Sequence, residues 1–254
     1  MEFRGDVVVV DGTEVGTTGM RWWDEADGTR LYLLTGSVAP EHQGRGYGRR
    51  ILAWQEGQAR EHAAQDVGGV RMFGTNPESE RDLALVRAAG YRVAFTRVRM
   101  TLTLREPRPV TLPDGVELRA ATAADHRAVF EANAEVFGGS SLGYVQDSFE
   151  EFEADAAEEF PDHELWTLAW DGDRLAGWVI SGLDDTPWVG VRPDWRRRGL
   201  ASALLRANHA RLWHHGVRTA SLWTVLENPT GSVKLYESLG YRIVERQPRY
   251  RKAF

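Results

Sequence analysis

Two short stretches carry the residue types that bind anions: Val38-Ala39-Pro40-Glu41-His42-Gln43-Gly44-Arg45-Gly46-Tyr47-Gly48, and Val191-Arg192-Pro193-Asp194-Trp195-Arg196-Arg197-Arg198-Gly199-Leu200-Ala201. In each, an apolar run leads into a proline turn, then a basic, glycine-rich loop, then good helix formers. The first amides of a helix have no intrahelical acceptor, and the helix dipole adds partial positive charge where they point. Gly44, Gly46, Gly48, Gly199 and the small Ala201 let the backbone approach an oxyanion, and Arg45, Arg197 and Arg198 add charge. A diphosphate is the ligand this chemistry suits.

The same elements follow both loops. The first predicts a helix over 49–64, a strand over 70–74, Asn76, a helix over 81–88, and Gly90-Tyr91 leading into a strand over 92–104. The second predicts a helix over 202–215, a strand over 219–226, Asn228, a helix over 232–238, and Gly240-Tyr241 leading into a strand over 242–245. A repeat of this length exceeds the roughly 20–50 residues of a solenoid unit, so the pattern reads as two domains of one fold.

Both halves resemble the GNAT family of N-acetyltransferases, whose loop has the form Gln/Arg-x-x-Gly-x-Gly/Ala; Gln43 to Gly48 and Arg196 to Ala201 fit it, and Asn228 with Leu235-Tyr236-Glu237-Ser238-Leu239-Gly240-Tyr241 matches the closing segment. Among tandem members the arrangement is similar to the mycothiol synthase group. The resemblance implies an α/β fold of two tandem GNAT-type domains, each a mixed, mostly antiparallel sheet flanked by helices. The N-terminal copy spans 1–105, a linker 106–115 and the C-terminal copy 116–254, with Pro107, Pro109 and Pro113 resisting regular structure in the link.

The copies differ at the front. The second predicts a strand over 116–119, helices over 123–136 and 146–159, and strands over 165–170 and 174–183. The first opens directly on Val7 to Gly12, matching Ala169 to Gly172, and is expected to lack the first strand and helices and to be non-catalytic.

The resemblance further implies a site for acetyl-CoA. Its contacts would be Val189, Val191, Arg196, Arg197, Arg198, Gly199, Leu200, Ala201 and Asn228 in the second copy, and Val38, Gln43, Gly44, Arg45, Gly46, Tyr47 and Gly48 in the first. The Val189 and Val191 amides would hold the pantetheine arm. Acetyl transfer to an amine needs a free-base amine and a proton for the departing thiolate. Tyr236 stands where the family places an acid; the matching residue of the first copy is Val86, which has no proton to give. Asp185, six residues before Val191, is the candidate base, with Tyr32 at the matching position and Asp184 and Glu227 as competitors. An Asp-Asp pair before a proline equally makes a turn, and Asn228-Pro229 equally makes a turn and helix cap.

Trp188, Phe137 and Tyr144 are candidates to line an acceptor pocket, while the remaining strand tryptophans read as packing. The acidic run Glu150 to Glu159 is a solvated helix face or an attractor for a cationic amine. His163, His209, His214 and His215 show no metal-ligand spacing, and no metal is expected.

Composition bounds the rest. The 254 residues suffice for two domains, and a net charge of −6 argues against a nucleic-acid binder. The absence of cysteine excludes disulfides and a thiol nucleophile. Without a long apolar run or a signal-like start, a soluble, cytoplasmic monomer or homodimer is expected, with no membrane partner. The function expected is acetyl transfer from acetyl-CoA to the amine of a small molecule by direct attack. The alternatives are a non-catalytic acyl-CoA-binding or regulatory module, and a protein lysine acetyltransferase.

Overall fold

The computed structural model describes residues 1–65, 69–140 and 142–254. In chain order the N-terminal repeat gives β1 (Glu2–Arg4), β2 (Val7–Val10), β3 (Thr13–Asp24), β4 (Thr29–Val38), α1 (Tyr47–Ala63), β5 (Val70–Thr75), α2 (Glu80–Ala88) and β6 (Arg92–Thr103). The C-terminal repeat gives β7 (Glu117–Arg119), α3 (His126–Phe137), α4 (Phe149–Glu159), β8 (Thr167–Asp171), β9 (Arg174–Ile180), β10 (Trp188–Val191), α5 (Leu200–His214), β11 (Thr219–Val225), α6 (Ser232–Ser238) and β12 (Arg242–Ala253). The expected helices and strands recur within a few residues of their predicted bounds, except the last strand, expected over 242–245, which runs on to Ala253.

Packing divides the chain into two compact units, one of residues 1–96 with 247–254 and one of residues 97–246. The strand that closes each sheet comes from the other repeat. In the first unit Tyr250–Ala253 of β12 pair antiparallel with Met72–Thr75 of β5; in the second, Arg97–Thr103 of β6 pair antiparallel with Thr219–Val225 of β11. Repeats and compact units therefore divide the chain differently. Tyr250 is thereby buried with Tyr32, Phe73, Val86 and Tyr91, and Val98 and Met100 with Ala220, Leu222 and Tyr236.

In the first unit β1 to β4 form an antiparallel meander and β4 runs parallel to β5. The Val7–Val10 run suits a half-buried strand, and Asp11 (φ 51°) with Gly12 (φ 80°) makes the tight turn into β3. β1 refines the expected front: a short strand does stand beside β2, joined through Gly5-Asp6, and no helix intervenes. In the second unit the corresponding β7 pairs with β8, and α3 and α4 come between them in sequence. Ser148 and Glu151 form a reciprocal capping box that starts α4 three residues later than the sequence reading had it. Val129, Ala132, Phe152 and Ala156 of α3 and α4 bury their apolar stripe against Leu168, Trp178 and Ile180.

Among the described residues no helix is long and apolar enough to cross a membrane.

Candidate functional site

The two basic loops have the same backbone. A 3₁₀ turn, Pro40–His42 or Pro193–Trp195, follows the strand. The next side chain then reaches back to the strand's last carbonyl: Gln43 Nε2 donates to Val38 O at 3.1 Å, and Arg196 Nε to Val191 O at 3.0 Å. Gly44 (φ 78°) and Arg197 (φ 61°) occupy matching left-handed positions, as do Gly46 (φ 80°) and Gly199 (φ 83°), each of which caps its helix without a side-chain acceptor. The earliest helical bonds run from Arg50 N–H to Gly46 O and from Ala203 N–H to Gly199 O. The amides of Tyr47, Gly48 and Arg49, and of Leu200, Ala201 and Ser202, therefore precede the ladder. A Cβ at Gly44, Gly46 or Gly199 meets no heavy atom within 4 Å, so the space beside each of these glycines is open. Gly48 differs: its Cβ would stand 3.2 Å from Leu85 Cδ2, which makes it a packing contact with α2. Arg45, Arg197 and Arg198 are exposed beside these amides.

Both sheets open beside the loops. In the second unit Thr186 N–H donates to Ser221 O at 3.0 Å, but β10 itself pairs only with β9 among the described residues. Arg192 N–H donates to Ala176 O at 3.0 Å and Gly190 lies opposite Trp178, so strand alternation turns the Val189 and Val191 amides to the open side. In the first unit the β4–β5 pairing ends at Leu33–Gly74 while β4 runs on to Val38. Ala39 N–H donates to Val15 O, and the same alternation frees the Val38 amide.

Deeper in the wedge the units diverge. Tyr236 is 6% exposed, its ring 5.7 Å from that of Tyr241, and burial pushes its phenol well above the ordinary tyrosine value. Tyr241 OH pairs with His209 Nε2 at 2.8 Å, and Tyr241 is pushed up by burial, by Tyr236 and by the charge of Asp185. Asp185 lies in the loop before β10, where Ser221 Oγ donates to Oδ1 at 3.3 Å. Burial raises its carboxyl, against the pull of the Thr186 N–H, Ser221, Arg99 and Arg97. Desolvation lowers His209 to about 4, with Arg206 adding to it. In the first unit Val86 is buried in the core, and Tyr91 OH donates to Glu56 Oε1 at 3.1 Å, a carboxylate also held by Lys252 Nζ at 2.7 Å. Tyr32 is fully buried, its ring 5.8 Å from His62 and 5.2 Å from Phe254, with Trp22 4.1 Å from His62. Aromatic rings fill the place that Asp185 holds in the second unit.

The other candidates fall as follows. Asn228 Oδ1 accepts from Thr230 N–H at 3.0 Å and Thr230 Oγ1 at 2.8 Å, a local turn, and α6 is capped by Gly231 instead. Asp184 is exposed, its carbonyl accepting from Ser221 Oγ; Glu227 is exposed past the end of β11. Phe137, Tyr144 and Trp188 form one cluster, with ring separations of 5.5, 5.7 and 6.1 Å, and burial lifts Tyr144 to about 12. The sequence reading passed over the Tyr241–His209 and Tyr91–Glu56 pairs. The signal was present: Glu56 and His209 each stand ten residues beyond Gly46 and Gly199, on the same turn of equivalent helices.

Comparison with known proteins bears on this arrangement. A model of the acetyltransferase (GNAT) family matches residues 4–91, and one of an acetyltransferase (GNAT) domain matches residues 161–243. The mycothiol acetyltransferase of Thermobispora bispora is 33% identical over 92% of this chain and 79% of its own. That of Geodermatophilus obscurus is 30% identical over 93% and 79%. A GCN5-related N-acetyltransferase from Sphaerobacter thermophilus superposes with a TM-score of 0.71 at 28% identity, covering 96% of this chain and 78% of that one. A tandem GNAT protein from the clavulanic acid biosynthesis pathway shares the fold, with a TM-score of 0.60 at 18% identity, covering 97% and 81%.

Proposed function

This chain belongs to the GNAT acetyltransferase family and is an acetyltransferase with a family domain in each half, and we propose that turnover occurs in the C-terminal copy, residues 116–254. There acetyl-CoA would donate its acetyl group directly to the amine of a small molecule. The observation that carries this is that one unit holds open helix amides at 200–202, the free Val189 and Val191 amides, and the buried Tyr236 beside Tyr241, whose phenol in turn feels the charge of Asp185.

The diphosphate fits the loop by charge and by space: amides 200–202 have no helical acceptor, Arg197 and Arg198 flank them, and nothing occupies the volume before Gly199. Leu200 and Ala201 contribute backbone, and Arg196 fixes the loop through Val191 O. When bound, acetyl-CoA supplies an activated thioester. The Val189 and Val191 N–H groups would orient the pantetheine arm and the thioester carbonyl, as preorganised donors do where negative charge develops. Asp185, held by Ser221, takes the proton that the attacking ammonium must lose. Tyr236, kept protonated by burial, would give its proton to the thiolate that develops as the C–S bond breaks, and would recover a proton from solvent before the next turnover. Asn228 would act near the cofactor arm through its side-chain N–H₂, because its oxygen is used by Thr230.

The first unit repeats the loop and the free Val38 amide but replaces both proton-transfer positions with Val86 and Tyr32. Gln43 to Gly48 would thus bind acetyl-CoA without turnover. Calorimetric titration of the intact chain with acetyl-CoA tests the whole reading. Two sites are expected; Gly199→Tyr should remove one together with turnover, and Gly46→Tyr the other with turnover kept. Loss of turnover in the Gly46 variant alone would place catalysis in the wrong copy.

A further inference from the structure

The strands that close the two sheets each present an arginine to the face beside the wedge. In the first unit Arg251 of β12 is neutralised: both its Nη atoms contact Glu25, at 2.6 and 2.8 Å, and the Glu25 side chain is 1% exposed. In the second unit Arg99 of β6 lies opposite Trp223 and next along the same face from Thr101, which lies opposite Ser221. Among the described residues no carboxylate comes within ion-pair distance of Arg99 or Arg97, and Arg99 is exposed while Arg97 lies over the Trp223 ring at 5.0 Å. Ser221, whose hydroxyl holds the Asp185 carboxylate, is one residue pair away from Arg99 on that face, a diagonal of roughly 7–8 Å between Cβ atoms.

Arg99, Thr101, Asp184, Arg218 and Ser221 line one open cavity of about 680 Å³, inside the roughly 300–1,000 Å³ typical of small-molecule sites. Arg218 is already engaged, donating to Trp213 O and Val217 O at 3.0 Å and stacking on Trp213. Among the described residues of this lining, Arg99 is the guanidinium open to a ligand. Asp185 adjoins this lining through its bond to Ser221 Oγ, and a carboxylate with a guanidinium close by matches an acceptor that carries both an amine and an oxyanion.

Resting on the function proposed above, we infer that the acceptor is an amine that also carries an anionic group, with Arg99 binding that group while the amine addresses Asp185. A guanidinium binds planar oxyanions through paired N–H donors, which gives the site its preference.

Initial rates of acetyl-CoA consumption test this with matched acceptors: α-amino acids against their decarboxylated amines, and phosphoethanolamine against ethanolamine. The anionic member of a pair should have the higher kcat/KM by roughly tenfold or more, the worth of one charge-assisted hydrogen bond. The two sets show whether carboxylate or phosphate is the group bound. Arg99→Gln should erase the preference, raising KM for the anionic member far more than for the neutral one, and Arg99→Lys should keep part of it. Arg99 is exposed, so both variants fold. Equal or faster acetylation of the neutral amines, or a preference that survives Arg99→Gln, overturns the inference and leaves the acetyltransferase reading standing. If acetyl-CoA binds and no amine of either set is acetylated, the amine-acceptor reading falls, and this inference with it.

Discussion

The two halves share one loop backbone built twice and differ in the side chains at the two positions proposed for proton transfer. Gln43 and Arg196 anchor their loops through the same strand carbonyl, and Gly46 and Gly199 open their helices with the same left-handed turn. Six residues before the strand's end, however, one half has a buried tyrosine packed against His62 and Phe254, and the other has a half-buried carboxylate. Five residues before the Gly-Tyr tyrosine, one has valine and the other tyrosine. The proposed diphosphate contacts come mainly from backbone amides, with arginine charge beside them, and both features are kept in the two copies. The proposed proton transfer needs particular side chains, and at those positions the first half has Val86 and Tyr32, both buried in its core.

The contrast is broken most severely at Tyr236. Tyr236→Phe keeps the ring and its packing, so acetyl-CoA binding by calorimetry should be unchanged while kcat falls by roughly 10²–10⁴-fold. Retained turnover would mean the halves differ by something other than the acid. Asp185→Asn should lower kcat/KM by roughly 10–10²-fold and abolish an acidic limb of the pH–rate profile lying above the ordinary carboxylate range. The same change should stabilise the protein. Burial raises the folded carboxyl above its unfolded value, so stability is fully present below the unfolded value and falls as pH rises through the folded one. Denaturant melts at neutral and acid pH should show the variant's advantage only at the former.

Val86→Tyr sharpens the comparison from the other side. In a Tyr236→Phe background it supplies a phenol to the first half, yet kcat should stay at the Tyr236→Phe level because Tyr32 stands at the position matching the proposed base. Overpacking a core site should cost about 1–3 kcal/mol, read as a shift in denaturation midpoint. The smallest effect is expected at the Tyr241–His209 pair. His209 is lowered to about 4 by desolvation, so the stability it contributes is present above the unfolded value of about 6.5 and is lost as pH falls from there toward 4. Allowing for its partial exposure, about 1–2 kcal/mol is at stake. His209→Gln should flatten that part of the stability profile.

Much of this was readable from residue order. Glycines at 44, 46 and 199 need left-handed backbone, and helix formers after them fix where the open amides lie; those are local preferences that sequence states directly. The contrast of Tyr236 with Val86 follows from counting back from a Gly-Tyr pair. Asn228 was harder, since an Asn-Pro turn and a cofactor contact look alike in sequence; Thr230 claims its oxygen in the fold. The Phe137–Tyr144–Trp188 cluster was named from its parts, but its closure depends on α3 packing beside β10.

The repeat, the two loops and the contrast of Tyr236 and Asp185 with Val86 and Tyr32 are legible in residue order, because each depends on backbone preference or side-chain identity within a few positions. Only the tertiary structure decided that Arg97–Thr103 complete the sheet of the second unit and Tyr250–Ala253 that of the first. Strand pairing is a long-range choice: alternation tells which face a residue takes but not which edge the strand will join. On that choice rest the ion pair of Arg251 with Glu25 and the placing of Arg99 beside Ser221 and Asp185.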